Sequence, residues 1–169
     1  MSDDGFDWWK AFLNFLKKNK YKDPIRITGK MLSDLAEKYK WQGAGTENDP
    51  IIIDSIDESE EKLDIINSRR FTIFRNCIFQ YIKIWNCNYI TFEHCGFNWL
   101  YVTNCTQIRL IDCTILHLEI YGSEHNYFKK CEIKKIYASD APNNTFEDLI
   151  ISSRNFKKFI KAFQENPSS

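Results

Sequence analysis

Six cysteines frame this chain. They stand at 77, 87, 95, 105, 113 and 131, so the gaps between them run 10, 8, 10, 8 and 18. Two interleaved series therefore share one period, position i matching i+18, and a fixed period of this kind decides a whole fold. The first series continues from Cys77, Cys95, Cys113 and Cys131 to Leu149. The second continues from Cys87 and Cys105 to Ser123 and Ala141, all small residues.

Other columns keep the same phase. Phe74, Phe92, Leu110, Phe128 and Phe146 align, as do Phe79, Phe97, Ile115, Ile133 and Ile151. Ile82, Leu100, Leu118 and Ile136 form a third column, and Ile84, Val102, Ile120 and Ala138 a fourth. These columns are apolar while the positions between them vary. Stacked coils impose such phase, because each residue sits about 4.8 Å from its equivalent in the next coil. Helical repeats are excluded, since so short a period cannot hold two packed helices and their turns.

Within one coil the inward positions Phe92, Cys95, Phe97, Leu100, Val102 and Cys105 are two or three residues apart. Two is the strand period, and three marks a corner where an extra residue turns the chain. Cysteine suits a corner, being small, apolar and tolerant of close stacking. The steps are too irregular for the hexapeptide repeat of left-handed β-helices, so a right-handed coil is expected. The fold class is mainly β: a right-handed parallel β-helix, or solenoid, with about 18 residues per coil and α-helical caps at both ends.

The segment Gly45-Thr-Glu-Asn-Asp-Pro-Ile-Ile-Ile-Asp54 resembles the entry segment of right-handed parallel β-helix proteins, the pectate-lyase-like group that includes NosD-type repeats. Asn-Cys at 76–77, 86–87 and 104–105 is similar to the Asn-containing turns of those repeats. The resemblance covers roughly residues 45–152 and implies architecture alone, because the repeat rather than a catalytic motif carries it. The two-three stepping also resembles pentapeptide-repeat solenoids. No aspartate cluster for calcium is recognisable, and no catalytic residue is carried over.

A solenoid must hide its open core at both ends. Phe6, Trp9, Phe12, Leu13 and Leu16 have helical spacing opposite Lys10, Lys17 and Lys18, and Asp23-Pro24 breaks that helix. Thr28 then caps a second helix over about 29–40, with Leu32, Leu35, Ala36 and Tyr39 on one face. Phe156, Phe159, Ile160 and Phe163 form a stripe beside Lys157, Lys158 and Lys161 at the other end. The expected organisation is a helical cap over 1–44, a solenoid over 45–152, and a capping helix with its tail over 153–169. The segment around Ile27–Lys40 also resembles half of a helix-turn-helix, and the lysine-rich C-terminal stripe also suits a membrane surface. Capping is the preferred reading for both, because a solenoid needs its ends closed.

Lys plus Arg and Asp plus Glu both number 23, so bulk electrostatics offers nucleic acid nothing. Nucleic-acid binding through the N-terminal helices is accordingly disfavoured. The acidic start Met1-Ser-Asp-Asp lacks a basic leader, and no long apolar run follows it. The expectation is a cytoplasmic protein without a transmembrane segment, its cysteines reduced. No CxxC pair occurs, and the inward thiols sit among Phe and Ile. Neither a metal nor a cofactor is expected.

The outward columns carry the functional expectation. One strand face reads Tyr81/Trp99/His117/Lys135, Lys83/Tyr101/Glu119/Tyr137 and Trp85/Thr103/Tyr121/Ser139. Six of these 12 positions are Tyr or Trp, which give large contact area at small entropic cost. The candidate binding face is Tyr81, Trp85, Trp99, Tyr101, His117, Tyr121 and Tyr137. A further column reads His94, Asp112, Lys130, Asp148, an alternating ladder of charge. Asp112 and Asp148 are weak catalytic candidates, roughly 9–10 Å apart, near the upper end for an inverting glycosidase pair. Lys130 between them would depress both acids when one should be raised, so a structural ladder is preferred. His94, His117 and His125 share no column. The expectation is a non-enzymatic interaction or scaffold module that shows its aromatic face to a protein partner or to its own copy. A glycan-binding or polysaccharide-acting β-helix is the alternative.

Overall fold

The computed structural model describes residues 24–55 and 57–151. They form a parallel β-solenoid of about five coils. Each coil contributes one long strand to a seven-stranded sheet and one short strand to a six-stranded sheet. The strands of the seven-stranded sheet are β1 (Ile25–Thr28), β3 (Asp57–Ile66), β5 (Ile78–Trp85), β7 (Gly96–Thr103), β9 (Thr114–Tyr121), β11 (Glu132–Ser139) and β13 (Ile150–Ile151), long from β3 to β11 and only 4 and 2 residues at the two ends. Those of the six-stranded sheet are β2 (Ile51–Asp54), β4 (Thr72–Arg75), β6 (Ile90–Glu93), β8 (Arg109–Ile111), β10 (Tyr127–Lys129) and β12 (Thr145–Glu147). From β4 onward, neighbouring strands pair parallel with i opposite i+18, as in Phe74↔Phe92, Phe92↔Leu110 and Leu100↔Leu118.

The columns read from the sequence are the core. Phe74, Phe92, Leu110 and Phe128 are fully buried, with Phe74 and Phe92 stacked at 5.1 Å and Phe79 and Phe97 at 5.5 Å. In β5, β7, β9 and β11 the buried positions step once by three, as between Phe79 and Ile82. At the corners the backbone turns left-handed in three columns. Asn76, His94, Asp112, Lys130 and Asp148 have φ of 51–54°, and so do Asn86, Asn104, Gly122 and Asp140. The third column is Tyr89, Gln107, His125 and Asn143, with φ of 55–62°. Asn, Asp, His and Gly tolerate this region best, which accounts for their recurrence there.

All six cysteines are buried, and none is joined in a disulfide. Each thiol donates to a carbonyl, as Cys105 does to Thr103 at 3.1 Å and to Ile84 of the previous coil at 3.4 Å. Burial pushes the Cys87 thiol up to about 11 and the Cys105 thiol up to about 12. A raised folded value stabilises the fold fully below the unfolded thiol's value, near 8.5, and that contribution is lost as pH rises toward 11–12. Denaturant midpoints should therefore fall between pH 8 and pH 11. Native labelling at pH 8 should be slow while denaturant releases all six thiols, and fast labelling of most cysteines in the folded protein would contradict this core.

Two features were not expected. β1 pairs with β3 through Ile25↔Leu63 and Ile27↔Ile65, so the seven-stranded sheet begins before the solenoid's anticipated entry. The first coil is also irregular: β3 and β5 pair at offsets of 21 and then 19, with a bulge between Glu58 and Lys62.

Helical capping at both ends is corrected to a single helix among the described residues. That helix, α1 (Gly29–Tyr39), forms where the Thr28 hydroxyl accepts the Met31 N–H at 3.2 Å. It ends at left-handed Lys40, with the Trp41 N–H bonded to the Ala36 carbonyl at 2.9 Å. Leu32, Leu35 and Ala36 are buried in the same cluster as Ile51 and Ile53. Gly29 lets the helix start against the Ser68 corner, where a Cβ would lie 2.9 Å from the Ser68 Cα. The stripes expected at 6–16 and 156–163 lie outside the described residues. At the far end the described chain offers strand instead, with Phe146, Leu149 and Ile151 only partly buried.

Candidate functional site

After the three-residue step, each of β5, β7, β9 and β11 continues as a run of residues that alternate sides. Ile82 and Ile84 point in, while Tyr81, Lys83 and Trp85 point out. Parallel pairing repeats that choice in every coil and brings Tyr81, Trp99, His117 and Lys135 into one register, behind Lys62. A second register runs Arg26, Asp64, Lys83, Tyr101, Glu119, Tyr137, and a third runs Thr28, Ile66, Trp85, Thr103, Tyr121, Ser139. All seven residues expected on the aromatic face thus share one side of one sheet.

Their rings touch. Trp99 stacks on His117 at 3.9 Å and 9°, and lies parallel to Tyr101 at 6.1 Å. Tyr81 meets Tyr101 at 5.1 Å, and Tyr121 meets Tyr137 at 5.8 Å. Lys62 lies over the Tyr81 ring and Lys83 over the Trp85 ring, at 5.8 and 5.5 Å. Tyr81, Trp99, Tyr101 and Tyr121 are consequently half-buried by one another, while Trp85 and Tyr137 stay 47% and 60% exposed.

Charge is sparse here and mostly spoken for. Asp64 is buried, 3.8 Å from Arg26, and its Oδ1 has no hydrogen-bond partner among the described residues. Burial raises its carboxyl above the ordinary range, against the pull of Lys83 and Arg26. Burial also raises the Tyr81 and Tyr101 hydroxyls, helped by Glu119 in both cases. The Tyr121 hydroxyl donates to Glu119 at 2.8 Å and is held up to about 12 by that bond. Burial, and behind it Lys135, push His117 below its usual value, so its ring is neutral at pH 7. Over these four coils the surface is an aromatic sheet with Lys83, Glu119 and Lys135 set into it.

The charge ladder has a different cause from the one its signs suggest. His94, Asp112, Lys130 and Asp148 are exposed corner residues that share a left-handed backbone. No ion pair links them among the described residues. The pairs between coils lie one residue earlier, Arg75 with Glu93 at 2.9 Å and Lys129 with Glu147 at 2.8 Å. Asp112 and Asp148 line no described pocket, and no group of three metal-ligating side chains occurs among the described residues.

Two arrangements escaped the sequence reading. Asn126 and Asn144 continue the inward column of Ile90 and Ile108, and they accept the N–H groups of Ile108 and Asn126 at 2.9 and 2.8 Å. The switch from Ile to Asn in phase with the repeat was the available signal. On the six-stranded sheet, a groove of about 520 Å³ is lined by Phe71, Tyr89, Thr91, Gln107 and Arg109, with Phe71 and Tyr89 stacked at 4.2 Å. Phe71 and Tyr89 are aromatic one period apart, which was the available signal, but Gln107 breaks the column in the next coil.

No helix among the described residues is long and apolar enough to cross a membrane. Compared with models of known families, curated proteins and solved structures, the chain matches none.

Proposed function

We propose that this protein is a non-enzymatic interaction module, a rigid solenoid that presents the face of Tyr81, Trp85, Trp99, Tyr101, His117, Tyr121 and Tyr137 to another protein. The carrying observation is the register: three outward columns hold aromatic rings side by side over four coils, and no described element lies across them. Ordered rings lose little freedom on binding, and Trp and Tyr dominate the energetics of protein interfaces. Nothing on the face resembles an acid–base pair or a metal site. The thiols, each donating a hydrogen bond, suit a reducing compartment, and we read the module as cytoplasmic. We also take the coil as right-handed, the hand that parallel β crossovers adopt almost without exception.

A glycan-binding role draws its support from the other sheet, where Tyr89 and Phe71 form a stacked wall beside Thr91, Gln107 and Arg109. It would leave the aromatic face without a purpose, and we place it second.

Hydroxyl-radical footprinting tests the first reading residue by residue. The protein is labelled inside cells and, separately, as a dilute purified sample. Tyr81, Trp85, Trp99, Tyr121 and Tyr137 should be protected in cells, while Tyr89 and Tyr127 on the other sheet label equally in both. Equal labelling of the aromatic face in the two samples would overturn the proposal.

A further inference from the structure

We infer that the partner of this face is a second copy of the same chain, related by a two-fold axis that runs parallel to the strands and passes over Tyr101. The inference rests on the interaction reading above and specifies its occupant. Its basis is the order of residues across the coils. In the middle register, Lys83 lies one coil before Tyr101 and Glu119 one coil after it; the next charge in that register, Asp64, is buried and lies one coil further out. A two-fold axis along the strands reverses the order of the coils and keeps each register opposite itself. Tyr101 then meets Tyr101 of the second copy, and Lys83 meets Glu119 twice, once on each side of the axis. An isologous interface requires this self-complementarity of a single patch.

The flanking registers obey the same symmetry. Trp99 meets Trp99, Tyr81 meets His117, which is neutral at pH 7, and Trp85 meets Tyr121. Trp85, one of the two most exposed rings, thereby gains cover, and Tyr137 in the middle register falls opposite the buried Asp64. Turning the axis along the solenoid instead would set Lys83 against Lys83 and Glu119 against Glu119, so charge selects the orientation. One kind of like-charge meeting remains, Lys62 with Lys135, which the symmetry also makes twice, but both are exposed at the rim where salt screens them. The chain's formal net charge of zero adds no repulsion between copies.

The face measures roughly 20 Å by 20 Å from the spacing of strands and residues. That buries about 800 Å² over both copies, below the usual range for a tight interface, so a weak, reversible dimer is expected.

Sedimentation equilibrium on the full chain tests this, with circular dichroism confirming that each variant folds. The wild type should be a reversible dimer. Lys83→Glu and Glu119→Lys should each weaken it by about tenfold or more, because the symmetry turns one reversal into two like-charge contacts. The double variant Lys83→Glu/Glu119→Lys restores both pairs and should return to within a few-fold of the wild type. A wild type that stays monomeric at several hundred micromolar overturns the second copy as partner, while protection of the face in cells would preserve the interaction reading. A dimer indifferent to the single reversals, or one that the double variant fails to rescue, overturns the two-fold arrangement. A dimer that leaves the aromatic face unprotected overturns both.

Discussion

Phe92→Ala should cost this protein about 3–5 kcal/mol, the usual range for emptying a buried aromatic site. Phe92 is fully buried at the centre of the stack, against Phe74 at 5.1 Å, Phe97 at 5.2 Å and Phe79 at 6.2 Å. Those rings are fixed by parallel pairing on both sides and cannot collapse into the void. At about 2–4 °C per kcal/mol for a chain of this size, the thermal midpoint should drop by roughly 6–20 °C. The neighbouring residue supplies the control. Glu93 points outward and pairs with Arg75 at 2.9 Å in partial solvent exposure, so Glu93→Ala should cost less than about 1 kcal/mol. Paired melts decide the matter: equal effects at 92 and 93, or a larger one at 93, would mean that the inward and outward sides are misassigned.

The contrast between these two residues also shows what made the coils readable. A side chain stacked on its own equivalent is selected once per coil, so Phe74, Phe92 and Phe128 print the period directly into the chain. The same logic placed Tyr81, Trp99 and Tyr101 together, because residues one step away from the inward Ile82 and Leu100 must lie on the opposite side. The candidate surface was therefore legible as a set of positions. Its contacts were not: nothing in the spacing says that His117 stacks on Trp99 at 3.9 Å or that Tyr121 is tied to Glu119.

Legibility failed where the period failed. β3 reaches β5 with a bulge, and β1 reaches β3 across a helix, so the segment 25–66 carries no regular repeat to count. Ser68 illustrates the loss. Counting back one period from Cys87 misses it, yet its N–H bonds the Cys87 thiol at 3.4 Å across a separation of 19 positions. The column of His94, Asp112, Lys130 and Asp148 failed for another reason. Its sequence displays charge, whereas the property its members share is a positive φ that no side-chain pattern states.

The second large effect belongs to the face itself. Trp99 and Tyr101 occupy the centre of the aromatic registers, and the proposed two-fold axis passes over them. Removing two central aromatic anchors should weaken association by about 2 kcal/mol or more, a factor of roughly thirty, since such residues carry most of an interface's energy. Neither points inward, so the cost to the fold should be limited to their stacking on His117 and Tyr81, about 1–2 kcal/mol. Sedimentation equilibrium of Trp99→Ala/Tyr101→Ala beside the wild type, with circular dichroism and thermal melts on the same samples, separates the two. The account predicts a folded protein with the wild-type spectrum, a midpoint lowered by only a few degrees, and a dimer reduced to monomer. A variant that keeps its fold and its full association, or one that loses association only by unfolding, would contradict it.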